Sequence, residues 1–134
     1  MMRFALVVLS ANGSNALIVL VVEDEFLLRY EAVLYLRDVG CIVLEARTAA
    51  QAEAICRDGG RVDVLLTDIN LPDSGSGWDV ADTFRAANPG IGVVYVSGNS
   101  PDRSRRVRGS LFFDKPYDVA DIGKACREVA NASP

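Results

Sequence analysis

Four places in the chain put a reactive side chain directly after an apolar run. Glu23-Asp24 follows the run 16–22, Asp68 follows Val62–Thr67, Ser97 follows Ile91–Val96, and Asp114-Lys115-Pro116 follows Ser110–Phe113. Three carboxylates (Glu23, Asp24 and Asp68), the Ser97 hydroxyl and the Lys115 amine are the groups available. Three carboxylates brought close together either take up protons or hold a cation. An all-oxygen ligand set without His or Cys favours Mg²⁺, with Mn²⁺ as the alternative. Such an ion would offset the acidic charge and let a phosphate donor approach, with Asp68 as the carboxylate nucleophile. Lys115 would meet a phosphoryl oxygen as a point charge, and Ser97 would donate a hydrogen bond to another. The chain contains no His. That excludes Ser-His and Cys-His catalysis, His-ligated metal and phosphotransfer through a histidine of its own.

These groups can act together only if the strands that carry them end at one edge. The run "ALIVLVV" (16–22) reads as a strand buried on both faces. Glu25 to Asp38 carries Leu27, Tyr30, Val33, Leu34 and Leu36 at helical spacing, and Gly40 follows as a helix stop. Cys41–Ala46 reads as a second strand, and Thr48 caps a helix over Ala49–Arg57. Val62–Thr67 is a third strand, Trp78–Ala87 a helix ended before Pro89-Gly90, Ile91–Val96 a fourth strand and Ser110–Phe113 a fifth. Asp118 caps a last helix over Val119–Ala130. Strands alternating with helices imply parallel pairing through right-handed crossovers. The expected fold is α/β, a flavodoxin-like doubly wound five-stranded sheet of order 2-1-3-4-5. Ligands bind such sheets beyond the carboxyl ends of the strands. Between strands four and five, "SGNSPDRSRRVRG" has Val107 as its one large apolar residue, which predicts a shortened or irregular fourth helix, or a loop in its place.

With 134 residues, half of them apolar and 24% charged, the chain suits one ordinary globular domain. Its net charge of -4 argues against non-specific nucleic-acid binding. Cys41, Cys56 and Cys126 are odd in number and form no CxxC, so they read as reduced thiols of a cytoplasmic protein. No apolar run approaches the roughly 20 residues that span a membrane. Residues 1–16 are set apart as an N-terminal extension, its apolar segment Phe4–Leu9 joined through Ser10–Asn15 to a domain over 17–134. The extension reads as an extra strand, a packing arm or the product of a wrongly chosen start codon.

The blocks "VVEDE" (21–25), "LLTDINLP" (65–72), "VYVSGN" (94–99) and "FFDKPY" (112–117) together resemble the receiver domain of two-component response regulators, in order and in spacing. Each block is weak alone; the four in order are specific, and the resemblance runs from 17 to about 130. It implies that Asp68 accepts a phosphoryl group from a sensor histidine kinase or a phosphotransfer protein. It implies Mg²⁺ ligation by the carboxylates of Asp24 and Asp68 and the backbone carbonyl of Asn70, with Glu23 acting through water. Lys115 would contact the phosphoryl group, with Pro116 after it in the cis form. Ser97 and Phe112 take the switch positions, Gly98 leaves access to the aspartate, and Asn70 and Asn99 tune the lifetime of the acyl phosphate. The chain departs from the family pattern in three places. The loop before Gly77 is about one residue longer than usual, Ser97 to Lys115 is several residues shorter, and Phe112 stands where a Tyr is common. The resemblance further implies a phosphoprotein of the stand-alone type, itself no enzyme beyond its own phosphorylation and dephosphorylation. It would signal through an unknown protein target, with no DNA-binding domain, and a homodimer remains open.

Plainer readings exist for each residue. Asp68 could cap the loop after its strand, Glu23-Asp24 could favour a helix start, Lys115 could be a solvated surface amine, Ser97 a turn hydroxyl and Phe112 a core aromatic. Arg103, Arg105, Arg106 and Arg108 read first as a solvated face and second as a partner-docking patch. Two other functions compete. A phosphatase of the haloacid dehalogenase type would need an acid two residues after the nucleophile, where this chain has Asn70. A degenerate receiver would act as an interaction module without phosphorylation.

Overall fold

A computed structural model of the chain describes residues 16–99 and 102–132. The expected N-terminal extension, including Phe4–Leu9, lies outside the described residues except for Ala16. The strands are β1 (Ile18–Val22), β2 (Ile42–Ala46), β3 (Val64–Asp68), β4 (Gly92–Ser97) and β5 (Leu111–Asp114). The helices are α1 (Phe26–Asp38), α2 (Ala49–Arg57), α3 (Gly77–Ala87) and α4 (Val119–Asn131). All pairings are parallel and the order is β2-β1-β3-β4-β5, as expected.

The continuous apolar runs are explained by two cores, one on each face of the sheet. Leu20, Val22, Leu65, Val93 and Tyr95 point to the side covered by α2 and α3. Val19, Val21, Val64, Leu66, Val94 and Val96 point to the opposite side with Ile122, Cys126 and Val129 of α4. Successive strand side chains alternate between faces, so a strand covered on both must be apolar throughout. The three cysteines are free thiols, and burial pushes the Cys126 thiol up to about 12. Among the described residues, no helix is long and apolar enough to cross a membrane.

Local signals hold the helices where the sequence placed them. The Thr48 hydroxyl accepts the Gln51 N–H at 3.0 Å, and Asp118 accepts the Ala120 N–H at 2.9 Å. Gly40 closes α1 at φ +98°, a conformation that suits glycine, with its N–H on the Arg37 carbonyl. Ser76 and Asp79 form a capping box at the start of α3. Of the short helix or loop expected between β4 and β5, the described residues form the loop; over 102–110 the chain makes two turns, at Ser104-Arg105 and Arg108-Gly109. Val107 alone cannot supply the apolar stripe that docks a helix.

The helix α1 buries one apolar stripe and exposes another. Ala32, Val33 and Leu36 are buried, while Phe26, Leu27, Tyr30 and Leu34 stand 48–75% exposed. They form a second apolar stripe facing outward, with the Phe26 and Tyr30 rings stacked at 5.8 Å.

Between β3 and α3 the chain turns back on itself. The Gly77 N–H donates to the Ile69 carbonyl at 2.8 Å, and Asn70 bridges Ser76. A Cβ on Gly77 would press into the Asp68 carbonyl oxygen and lie 2.9 Å from the Ile69 Cα. Gly77→Ala must therefore move backbone, and overpacking of this kind costs about 1–3 kcal/mol. A urea titration of the variant is expected to show that loss with an unchanged m-value; a native midpoint would show that the turn tolerates a side chain.

Candidate functional site

The parallel register sets the carboxyl ends of β1, β3, β4 and β5 side by side. Thr67 pairs with Val22 and Tyr95, Asp68 with Val96, and Ser97 with Asp114. The residues that follow each strand thus share one edge. They surround a pocket of about 370 Å³ lined by Glu23, Asp24, Asp68, Asn70, Asn99 and Lys115 among others.

Lys115 lies at its centre. Its Nζ donates to Asp68 Oδ2 at 2.5 Å and lies 3.0 Å from Glu23 Oε1. Asp68 is 6% exposed and Glu23 3%, so this is a charge cluster largely withdrawn from water. The Lys115–Pro116 bond is cis, as expected, and the Lys115 N–H donates to the Ser97 carbonyl at 2.8 Å, which fixes where the side chain starts. Asp68 Oδ1 accepts the Asn70 N–H at 3.0 Å, and Glu23 Oε2 accepts the Glu25 N–H at 3.1 Å. Glu23 Oε1 is buried with no hydrogen bond among the described residues; Lys115 approaches it at ion-pair distance but is not aligned as a donor.

Burial is the main force on these groups. It pushes the Glu23 carboxyl above the ordinary carboxylate value, and the Asp68 charge adds to the rise against the pull of Lys115. Burial works against the Lys115 charge as well, but the adjacent carboxylates of Asp68, which accepts its hydrogen bond, and then Glu23 outweigh it, so the ammonium is held above its usual value. Burial lifts the neighbouring Tyr117 hydroxyl to about 12.

The structure brings Glu23, Asp68 and Lys115 into contact but sets Asp24 apart. The Asp24 side chain is 44% exposed and lies 3.8 Å from the Arg47 guanidinium. Among the described residues, no three acidic or thiol side chains surround one point as a ready metal cage. The expected convergence of three carboxylates is thus two carboxylates bridged by an amine, with the third on the rim of the same pocket. The donors still fit a hard divalent cation. They are all oxygen, Glu23 presents a buried oxygen lacking a hydrogen bond, and Asp24 is loosely held. Ser97 is fully buried and its hydroxyl accepts the Asn99 N–H at 3.2 Å, while Gly98 and Asn99 line the pocket. Phe112 is partly buried against the core and packs on Tyr95 and Trp78.

Several positioning groups were not foreseen from the sequence. Arg29 donates to the Glu23 carbonyl at 2.9 Å and to Glu45 at 3.1 Å, tying the acidic turn to α1 and β2. Asp73 accepts the Ala49 and Ala50 N–H groups at the start of α2, which anchors the loop after Asp68. Neither residue lies in a recognisable block. The signal for Asp73 was an acid in a loop facing the first-turn N–H groups that the Thr48 cap leaves open, which needs the fold to be seen. The arginine run is also not a bare solvated face: Arg103, Arg105 and Arg106 are each held by the domain itself.

The response regulator receiver domain family matches residues 19–127. A sensor kinase CckA of Brucella abortus is 29% identical over 121 residues, covering 87% of this chain and 13% of that protein. A probable transcriptional regulatory protein TcrX of Mycobacterium tuberculosis is 32% identical over 108 residues, covering 78% of this chain and 45% of that protein. The chain thus spans less than half the length of these curated relatives. A crystal structure of a response regulator receiver protein from Sinorhizobium medicae superposes with a TM-score of 0.84 at 29% identity, covering 87% of this chain and 96% of that one.

The Glu23 environment has a measurable consequence. A carboxyl raised in the folded state binds its proton more tightly than in the unfolded chain, so it lowers stability as pH rises from the unfolded pKa to the folded one, and fully above that. In the absence of divalent cations, Glu23→Gln is expected to be more stable than the native chain at neutral pH. The gain should fade as pH drops through the folded pKa toward the ordinary carboxylate value of 4.5. Urea midpoints across that range test this, and a variant less stable at neutral pH would show that the Lys115 pairing outweighs burial.

Proposed function

Because this chain belongs to the response regulator receiver domain family, we propose that it accepts a phosphoryl group on Asp68 and signals by protein–protein contact. The observation that carries the reading is the Lys115–Asp68 pair at 2.5 Å, buried at the floor of an acidic pocket open to solvent. A carboxylate placed there is accessible to a phosphorus atom yet held in one orientation. Its Oδ1 is fixed by the Asn70 N–H and its Oδ2 by Lys115.

In the proposed reaction an Asp68 oxygen attacks the phosphorus of a phosphohistidine on a sensor kinase or phosphotransfer protein. An O–P bond forms, the P–N bond breaks, and the imidazole leaves and takes up a proton. Lys115 turns from Asp68 and Glu23 to the new phosphoryl oxygens and keeps its charge, since its ammonium is held above the usual value. Ser97 follows Val96, the register partner of Asp68, and its hydroxyl, which accepts the Asn99 N–H, would donate to the phosphoryl group. Glu23, Asp24, Asp68 and the Asn70 carbonyl would hold Mg²⁺ or Mn²⁺, which supplies positive charge against the phosphoryl oxygens. Asn70 and Asn99 flank the path of hydrolytic water. The exposed α1 stripe starts at Phe26, two residues after Asp24, and offers the phosphodonor an apolar landing beside the pocket.

Intact mass after incubation with acetyl phosphate tests the reading. One added phosphoryl group is expected with Mg²⁺, none after chelation, and none in Asp68→Asn. Beryllofluoride, a stable phosphoryl mimic, covers the case of rapid hydrolysis. Neither mass gain nor beryllofluoride binding would leave a receiver fold acting as an interaction module alone.

A further inference from the structure

The large apolar side chains that stand exposed among the described residues are not scattered. Phe26, Leu27, Tyr30 and Leu34 all lie on the outer stripe of α1. A groove of about 720 Å³ runs along this stripe to Val119 at the start of α4. The charged groups in its lining, Glu31 and Asp38, are both acids. Single exposed apolar residues are ordinary, but a continuous patch marks a contact site.

The chain that precedes the domain leaves it at the foot of this groove. The Ile42 N–H donates to the Leu17 carbonyl at 2.8 Å, and the Cys41 N–H to the Leu36 carbonyl at 2.9 Å. The start of β1 therefore lies beside the end of α1. Leu17 itself packs against the core that α1 and α4 share. Between Ala16 and the apolar run Phe4–Leu9 stand the six residues Ser10–Asn15. Extended, they span up to about 20 Å. From Leu34 back to Phe26 the stripe is about 12 Å long. The run thus reaches the stripe and covers its length, with Leu9 toward Leu34 and Phe4 toward Phe26.

Charge points the same way. Arg3 precedes the run, and residues 1–15 hold no acid. The rest of the chain holds all 18 acids against 13 lysines and arginines, the 14 of the whole chain less Arg3. With Phe4 near Phe26, Arg3 falls beside Asp24 and Glu25, both exposed just before α1. A second copy meeting the stripe face to face would instead set Glu31 and Asp38 against acids of its own kind.

We propose that Phe4–Leu9 folds back on the outer stripe of α1 in its own chain, with Arg3 against the acids that precede the helix. A short tether holds its segment at a local concentration on the order of millimolar. A weak apolar contact is then enough to keep the stripe covered, and still yields to a stronger partner. The covering does not depend on the chemistry of Asp68. Its consequence rests on the reading given above: the stripe is the landing for the phosphodonor, so a protein donor must displace the segment before it reaches Asp68.

NMR of the full chain tests the covering. Nuclear Overhauser contacts are expected between the methyl groups of Val7, Val8 or Leu9 and the ring protons of Phe26 or Tyr30. Mixing isotope-labelled with unlabelled chain separates contacts within one chain from contacts between two. Nile red, a neutral dye that brightens on apolar surface, gives a second reading. It should bind the native chain weakly and brighten several-fold with Val7→Asp/Val8→Asp. That gain should vanish when Leu27→Gln and Leu34→Gln are added, and Arg3→Glu should produce part of it. Acetyl phosphate is too small to need a landing, so its mass gain should be equal in the native chain and in Val7→Asp/Val8→Asp. A native chain as bright as that variant, with no contact between segment and α1, overturns the proposal and leaves the stripe bare. Contacts found only between chains overturn it in favour of a second copy, and contacts with β2 in favour of an added edge strand. No mass gain in either chain removes the consequence for the phosphodonor together with the Asp68 reading, while the covering stands or falls on the contacts.

Discussion

The ammonium of Lys115 between two buried carboxylates is the interaction on which the site depends. Charges this far from water are tolerated only when paired. Lys115 pairs Asp68 at hydrogen-bond distance and leaves one oxygen of Glu23 without a hydrogen bond. The pocket is thus incompletely satisfied in its resting form. It has room for more positive charge, and the Asp68 and Glu23 contacts of Lys115 are those an anion entering the pocket would compete for. The sheet supplies the rigidity behind this. The strands β1, β3 and β4 are buried on both faces, so their ends cannot drift, and whatever adapts must lie in the loops and at the β5 edge.

Much of this was legible in the sequence, for identifiable reasons. Asp68 and Lys115 were visible because a charge directly after an apolar run is costly unless it has a purpose, and the alternation of strands and helices left one topology that gathers such charges. The caps at Thr48 and Asp118 were visible because a hydroxyl or acid before a helical period is a local signal. The outward stripe on α1 was not. Helical spacing shows that Leu27, Tyr30, Val33, Leu34 and Leu36 share a period, but not which of two stripes meets the sheet. Small Ala32 proved to belong to the buried one.

The side-chain directions at the site were also beyond the sequence. Adjacent acids at a strand end face different ways, so Glu23 turned inward and Asp24 toward Arg47. The arginines of 103–108 looked like a solvated run because their partners, Asp79, Asp82, Phe112 and Asp114, lie on other elements. A charge pattern read along one segment cannot show a contact with a strand or helix that arrives from elsewhere. The same blindness hid Arg29 and Asp73, whose roles exist only once β2 and α2 have docked.

The reach of the Lys115–Asp68 contact, 47 positions along the chain, has a consequence for how the molecule is assembled. The strands β1 and β3 are central neighbours, whereas β5 is an edge added beyond β4. Their pairing sets Glu23 and Asp68 side by side, whereas the amine that reconciles them comes from the edge strand. A partly formed domain lacking β5 therefore bears two repelling carboxylates at its centre. Arrival of the last strand is rewarded by electrostatics as well as by burial. That couples completion of the sheet to completion of the pocket.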